Sequence, residues 1–337
     1  MDKKITLSHG AGGEKTTRLI KELFYRYFDN PLLKAETDSA ICRINSRHIA
    51  FTSDSFVVNP IFFPGGDIGK LSVAGTVNDL SVSFAKPLYL SSSFIIEEGF
   101  DINDLEKIAA SMKEEADKTG VLIVCGDTKV VEKGSCDKIF ITTSGIGVID
   151  EEYITVSTGE NIKAGDKIII NGEIASHGMA VTAVRNNISF QESLLSDCAS
   201  LYELVDIIKK LKIIPKFARD ATRGGLATVL AEISEKCRLG LCVEEGKVSV
   251  NEQARGVAEI FGYDPLYAAN EGKMILVAAY DDAEKIISEW QKSSLGKKAV
   301  IIGEVVSEHK GKVLLKTSVG GLRIIDKLSG EMLPRIC

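Results

Sequence analysis

Between positions 14 and 29 apolar side chains recur at Leu19, Ile20, Leu23, Phe24 and Tyr27, the spacing of a buried helix face, and Asn30-Pro31 ends the run. Beyond it, strand-like runs at 48–52, 88–96, 121–125 and 139–148 alternate with helix-period stretches at 68–84 and 104–119. Together they describe one layered α/β unit that closes near Asp150. A polar connector, 151–165, precedes a second start. Strands are predicted there at 167–170, 241–244, 273–279 and 299–306, with helical stretches at 223–237, 253–261 and 282–291 between them. A sheet with helices on one face buries these patterns most economically, so the fold class is α/β (α+β) in two domains. From Gly320-Gly321 onward no period survives, and 320–337 is expected to be a mobile tail. The boundaries are 1–34 for an N-terminal loop and helix, 35–150 and 151–319 for the domains, and 320–337 for the tail. At about 3.3–3.6 Å per residue the tail could extend roughly 55–60 Å, far enough to enter a cleft elsewhere on the molecule.

Length and composition narrow the partners more than the fold. A chain of 337 residues is long for one hydrophobic core, which agrees with two domains. With 45% hydrophobic and 26% charged residues it should fold as an ordinary globular protein. A net charge of −6 supplies no basic stripe for a phosphate backbone, so nucleic acid is not an expected partner. No signal-peptide core and no eighteen-residue apolar run is present, and a cytoplasmic protein without a membrane contact is expected. The seven cysteines form no C-x-x-C pair and are odd in number, against a disulfide framework or zinc ribbon. Six read as core or incidental thiols. Cys337 is set apart by its position.

Several loops could carry chemistry. Ser8-His9-Gly10-Ala11-Gly12-Gly13 leads directly into the first helix, where free N–H groups and the positive helix end suit an anion such as phosphate. Glu14 separates Gly13 from Lys15-Thr16, so this is not a Walker A loop, and a plain capping turn competes with phosphate binding. Asp38, Asp54, Asp79 and Asp127 lie at strand ends or turns, hard oxygen donors suited to Mg²⁺, although each alone is as easily a turn former. Asn78-Asp79 interrupts an otherwise apolar helical stretch, where a carboxylate requires a metal, a ligand or an ion pair. In the second half, His177 lies in a polar loop at a helix start, as do Asp220, Arg223 and Gly224, while Asn270-Glu271-Gly272 brings a carboxylate to a strand edge. His177 could equally cap or pack, and Glu271 could be a turn residue. Cys337 joins a sterically free end to the strongest common protein nucleophile. The adjacent terminal carboxylate should raise its pKa and Arg335 should pull it back.

Thr52-Ser53-Asp54-Ser55, Val77-Asn78-Asp79-Leu80, Cys125-Gly126-Asp127-Thr128-Lys129, Arg219-Asp220-Ala221-Thr222-Arg223-Gly224-Gly225, Asn270-Glu271-Gly272 and the closing Pro334-Arg335-Ile336-Cys337, with the glycine loop, resemble the HypE family of hydrogenase maturation factors. The resemblance spans almost the whole chain. The internal motifs specify the wider PurM-like superfamily of aminoimidazole ribonucleotide synthetase, and the terminus specifies this branch. The resemblance implies an N-terminal sheet that forms a barrel with a second copy in a homodimer, a C-terminal α/β domain, and ATP near the dimer interface. It implies that Cys337 is S-carbamoylated by a HypF-like carbamoyltransferase and that ATP drives dehydration to a thiocyanate. The cyanide then passes to iron through a HypC-HypD-like scaffold. Nucleotide and Mg²⁺ would be held by Gly10, Gly12, Gly13, Asp38, Asp54, Asn78, Asp79, Asp127, Thr128, His177, Asp220, Arg223, Gly224 and Asn270, with Asp38, Asp54, Asp79 and Asp127 on the metal. Glu271 is the candidate base. Lys129 or Lys133 is the candidate for stabilising developing charge, and the choice between them stays open. The alternatives are a PurM-like synthetase or kinase acting on a free small molecule, and a non-catalytic carrier that presents Cys337.

Overall fold

The computed structural model describes residues 3–6, 9, 18–31, 44, 48–190, 193–328, 333 and 335–337. Within the first helical run a π-helical turn, Ile20–Phe24, continues into Tyr25–Tyr27 and buries Leu23 and Phe24. Four strands follow in a sheet of order β1-β6-β4-β5: β1 (Ile49–Phe56), β4 (Lys86–Glu97), β5 (Leu122–Val131) and β6 (Ile139–Val148). Among the described residues one face is covered, by α1 (Ile68–Val82) and α2 (Ile102–Thr119) together with the first helical run, whose Phe24 stacks on Phe94. Helix α1 starts where the Asp67 carboxylate accepts from the Gly69 and Lys70 amides at 2.7 and 3.0 Å. It is buried on nearly every side, wedged between sheet, α2 and the second domain. Helix α2 buries Ile102, Leu105, Ile108, Ala109, Met112 and Ala116 on one stripe and stops at Gly120 in the left-handed region. Among the described residues nothing covers the other face of the sheet, where Phe51 is 68% exposed and Ile49 55%.

The short strands β2 (Phe62–Phe63) and β3 (Gly66–Asp67) pair with each other ahead of α1. The second sheet runs β13-β12-β9-β11-β7-β10-β8, built from β7 (Lys167–Ile170), β8 (Phe217–Asp220), β9 (Gly240–Glu244), β10 (Met274–Ala278), β11 (Val300–Val306), β12 (Val313–Lys316) and β13 (Leu322–Ile325). Helices cover both of its faces, not the single face expected from sequence. In β10, Ile275 and Val277 join the core that contains residues of α3 (Ser176–Arg185), α5 (Gly225–Cys237) and α6 (Glu252–Phe261). Met274, Leu276 and Ala278 join the one under α4 (Tyr202–Lys210) and α7 (Tyr280–Trp290). A strand buried on both sides loses its alternation, which is why the sequence does not disclose the second layer. The tail differs from expectation as well. Residues 322–325, read as part of a mobile segment, pair with β12 as the edge strand β13.

The segment 194–201 threads between the domains. The Ser196 amide donates to Pro64 O at 2.8 Å, the Ser200 amide to Glu115 Oε1 at 2.8 Å, and the Leu201 amide to Asn78 Oδ1 at 2.7 Å. Among the described residues no helix is long and apolar enough to cross a membrane.

Candidate active site

The last three residues lie against the start of the first domain. Val57 N–H donates to Cys337 O at 3.0 Å and Asn59 N–H to Arg335 O at 3.2 Å, a short antiparallel pairing just beyond β1. Arg335 returns Nε–H to Val57 O at 3.0 Å and places Nη1 2.7 Å from Asp137. Arg185 donates from Nη2 to Arg335 O at 2.9 Å. Ile336 is buried in the first-domain core, and Cys337 packs against it. The last three residues are therefore docked, and Cys337 lines a cavity with Arg223 and Tyr267.

Three of the predicted acids, Glu271, Asp54 and Asp220, lie near the Cys337 thiol, and Asp79 joins them through Asp220 and Asp54. Asp54 comes from β1, Asp79 from the end of α1, Asp220 from the end of β8 and Glu271 from the turn before β10. Thr52 Oγ1 donates to Asp79 at 2.5 Å. Burial, opposed by this hydrogen bond and reinforced by Asp54, raises Asp79 to about 6. Burial raises Asp220 to about 7, with Asp79 and Asp54 adding repulsion. Glu271 is pushed well above the usual carboxylate range, first by burial and then by Asp220, Asp197 and Asp54, with Arg223 opposing. Its Oε1 is buried without a hydrogen-bond partner. Burial, then Glu271, carries the Cys337 thiol up to about 12, and the cation that pulls it back is Arg223. This corrects the sequence expectation for Arg335, whose guanidinium is committed to Asp137 and Val57.

Arg223 lines a cavity together with Cys337 and is followed by two glycines. Gly224 and Gly225 have φ of +78° and +60°, and a Cβ on Gly225 would stand 2.6 Å from Ala268 O, so this turn requires glycine. On one side of the turn a cavity of about 420 Å³ is lined by Arg223, Gly224, Tyr267 and Cys337. On the other a cavity of about 260 Å³ is lined by Thr52, Asp79, Arg219 and Asp220.

Other predicted residues have different work. Asn78 spends its amide on Ala199 O, Glu271 O and the Leu201 N–H, tying α1 to the second domain. Asn270 accepts from Ala175 N and donates to Ala221 O and Ala268 O, which fixes the Glu271 turn. In both amides the two N–H donors are taken by backbone carbonyls, so neither has a donor left for a cofactor. His177, expected at a cofactor, contacts the tail: its Nε2 lies 2.8 Å from Ile336 O. Asp127, Thr128 and Lys129 sit on β5, the far edge from Asp54. Three strand spacings separate them, about 14 Å, and Lys129 pairs with Asp127 at 3.0 Å. Lys133 is exposed in the 132–138 loop whose Asp137 holds Arg335. Gly10, Gly12, Gly13 and Asp38 lie outside the described residues. Residues the sequence reading missed are Asp137, Arg185, Ser196 and Asp197. Asp197 accepts from the backbone amides of His177 and Glu271 at 3.1 and 3.2 Å. Although burial alone would raise it, Lys273, 3.1 Å away, and the Glu271 backbone N–H hold Asp197 below the usual carboxylate range.

Among the described residues no three acidic, histidine or cysteine side chains converge as a closed metal cage. The donor set nonetheless fits Mg²⁺, which takes one or two carboxylates and completes its octahedron with water and phosphate oxygens. Mutual repulsion among Asp54, Asp79 and Asp220 is what a dication would relieve.

Comparison with known proteins agrees with this layout. Residues 36–149 match the family described as AIR synthase related protein, N-terminal domain, and 163–316 its C-terminal domain. The chain is 43% identical over 337 residues to carbamoyl dehydratase HypE of Cupriavidus necator, covering 99% of this chain and 95% of that one. To its Escherichia coli counterpart it is 40% identical over 338 residues, 99% of both. It superposes on a crystal structure of the hydrogenase maturation protein HypE in complex with ATP with a TM-score of 0.93 at 42% identity, over 98% of this chain and 99% of the other. On a chain of a HypE–HypF complex the TM-score is 0.78 at 46% identity, over 92% and 99%.

Proposed function

The chain belongs to the HypE family of carbamoyl dehydratases, and from that premise we propose that it converts an S-carbamoyl group on its own Cys337 to a thiocyanate at the expense of ATP. The observation that carries the reading is the docking of Cys337, which lines a cavity with Arg223 and has Glu271 as its first electrostatic neighbour. A carbamoyl oxygen is a poor leaving group until it is phosphorylated. In the first step that oxygen attacks the γ-phosphorus of ATP, ADP departs, and one N–H proton is lost. In the second the C–O bond breaks, phosphate leaves with the oxygen, and the remaining N–H proton is removed as the C≡N bond forms. The chain thereby loses the elements of one water, and ATP becomes ADP and phosphate.

Glu271 is the proton acceptor. A carboxylate in a buried site, once ionised, is a stronger base than one in water, and its unpartnered Oε1 is free to take the proton. Arg223 lies where charge grows on the transferred group. Lys133 is favoured over Lys129 as the second cation, because its loop holds the tail through Asp137 whereas Lys129 is spent on Asp127. Bound Mg²⁺ would neutralise phosphate charge during transfer. Asp54, Asp79 and Asp220 would hold it, and at neutral pH, with Asp79 at about 6 and Asp220 at about 7, the proton that has to leave is chiefly the one on Asp220.

Intact-mass analysis tests this directly. Incubated with a HypF-like carbamoyltransferase and its substrates, the chain should gain a carbamoyl group on the peptide containing Cys337, and Mg-ATP should then remove one water from it. An adduct that persists while ATP is present overturns the reading in favour of a passive carrier. The HypC-HypD-like scaffold is the proposed acceptor of the cyanide, and the cytoplasm, where thiols stay reduced, the proposed location.

The open face of the first sheet supports a homodimer. Phe51 and Ile49, with Ile95 at 43% exposure and Leu122 at 41%, leave apolar side chains there for a second copy to cover. Phe51 also lines the cavity of Asp79 and Asp220, so nucleotide there would lie near the dimer interface. Asp127, Thr128 and Lys129 would then serve the site of the other copy. Sedimentation equilibrium should return the mass of two chains, and Phe51→Asp should shift it toward one; a native chain that sediments as a monomer at micromolar concentration rejects the pairing.

A further inference from the structure

Three hydrogen bonds in a row connect the inter-domain segment to the tail. Cys198 N–H donates to Ser196 Oγ at 3.0 Å, Ser196 Oγ lies 2.8 Å from His177 Nδ1, and His177 Nε2 lies 2.8 Å from Ile336 O. Their protons are assigned by elimination. A carbonyl oxygen only accepts, so Nε2 carries a hydrogen. Ser196 Oγ accepts from Cys198 and still has its own hydrogen to place, and a neutral ring offers Nδ1 as its acceptor. Burial also favours the neutral ring. The imidazole is fully buried, and Phe63 meets it edge-on with ring centres 5.3 Å apart.

We infer that His177, held in its Nε2–H tautomer by Ser196, is the positioning residue that latches the C-terminal segment in the cleft and sets the reacting thiol against Glu271. The Ile336 carbonyl belongs to the peptide plane that carries the nitrogen of Cys337, so fixing that oxygen fixes where the Cα of Cys337 lies. Val57 holds the Cys337 carbonyl from the other side. Between these two anchors the thiol keeps little freedom beyond rotation about χ1. The Arg335–Asp137 pair is a poorer candidate for this precision, because its side chains are 35% and 43% exposed and solvent screens them. The inference rests on the reading of Cys337 as the tethered reactant.

The test compares the full-length chain with His177→Ala, His177→Gln and Ser196→Ala. Two rates are read: iodoacetamide alkylation of Cys337 by peptide mass, and single-turnover loss of water from the carbamoylated chain as a function of ATP concentration. Misplacing a reacting group by about 1 Å can cost on the order of 10²-fold. His177→Ala should therefore slow water loss by about 10- to 100-fold, leave half-saturation by ATP within about two-fold, and speed alkylation about 10-fold. His177→Gln retains a donor toward Ile336 and should recover most of the rate. Ser196→Ala should fall between wild type and His177→Ala, and it carries the test should His177→Ala melt at the assay temperature. Unchanged alkylation and water loss in both His177→Ala and Ser196→Ala overturn the latch. So does a loss that His177→Gln does not restore and that moves ATP saturation in parallel. A wild-type chain that is never dehydrated would sink the dehydration chemistry itself, whereas the alkylation rates report on the latch regardless.

Discussion

Cys337→Ser should abolish the reaction: no carbamoyl adduct, no ATP-dependent loss of water, and activity down by more than about 10⁴-fold, with the melting temperature nearly unchanged. The substitution is close to isosteric at a half-buried position, so the fold has little to lose. The chemistry loses everything, because a hydroxyl without an adjacent base is a far weaker nucleophile than a thiolate. The docked thiol itself is a poor one. With its pKa at about 12, against about 8.5 for a free cysteine, the thiolate fraction near neutrality is lower by on the order of 10³-fold. Acquisition of the carbamoyl group therefore belongs to an undocked tail and dehydration to a docked one. Carbamoylation of wild type should rise with pH through the ordinary thiol range, not near 12. Intact-mass analysis across pH 6 to 10 measures both statements. A Cys337→Ser chain that keeps full ATP-dependent turnover on a diffusible substrate would point instead to a kinase or synthetase working on a free small molecule.

The division of labour in the site explains what could be read from the chain alone. Strands with an open face announce themselves: β1 and β6 alternate, and both were visible. The four-residue β8 follows Pro215 and is too short to show a period, and β12 and β13 flank a polar Gly320-Gly321 turn that looks like the beginning of a tail. Asp79 was legible for a physical reason, since a carboxylate inside an apolar helix is costly unless something uses it, whereas Asp220 and Glu271 read as turn residues until the family resemblance singled them out. Asp220 lies close to both Asp79 and Glu271. Asn78, Asn270 and His177 carry the same signal of a buried polar group, yet their partners are backbone atoms of distant segments. Asn78 bonds to residues around 200 and 271, and His177 to Ile336. Nothing local to either distinguishes a group satisfied by the fold from one left for a ligand. Ser196 and Asp197 were invisible for a related reason, since the segment that bears them has no period and gains its role only by lying between two domains.

Glu271→Gln separates these possibilities by both rate and stability. The amide keeps the shape of the side chain but cannot accept the carbamoyl proton, so dehydration should slow by about 10³-fold, while the chain still accepts the carbamoyl group. For wild type, the rate should rise with pH as Glu271 ionises. Stability should move the opposite way. The folded carboxyl, raised well above 4.5, holds a proton that the unfolded chain has already released. Between the unfolded and folded pKa values the native state therefore binds more protons, and stability falls as pH rises. The neutral amide of the variant carries no such cost. The melting temperature of Glu271→Gln minus that of wild type should grow as pH increases from 5 toward 8, with the pH dependence of Asp79 and Asp220 largely common to both chains. Bound Mg-ATP should shrink the difference if a cation draws off the repulsion of the acid cluster. Calorimetry at a series of pH values, alongside single-turnover assays, measures every arm. A variant within about 10-fold of the wild-type rate would remove Glu271 from the proton transfer, and a temperature difference that stays flat from pH 5 to 8 would mean the carboxyl is ionised in the folded chain throughout.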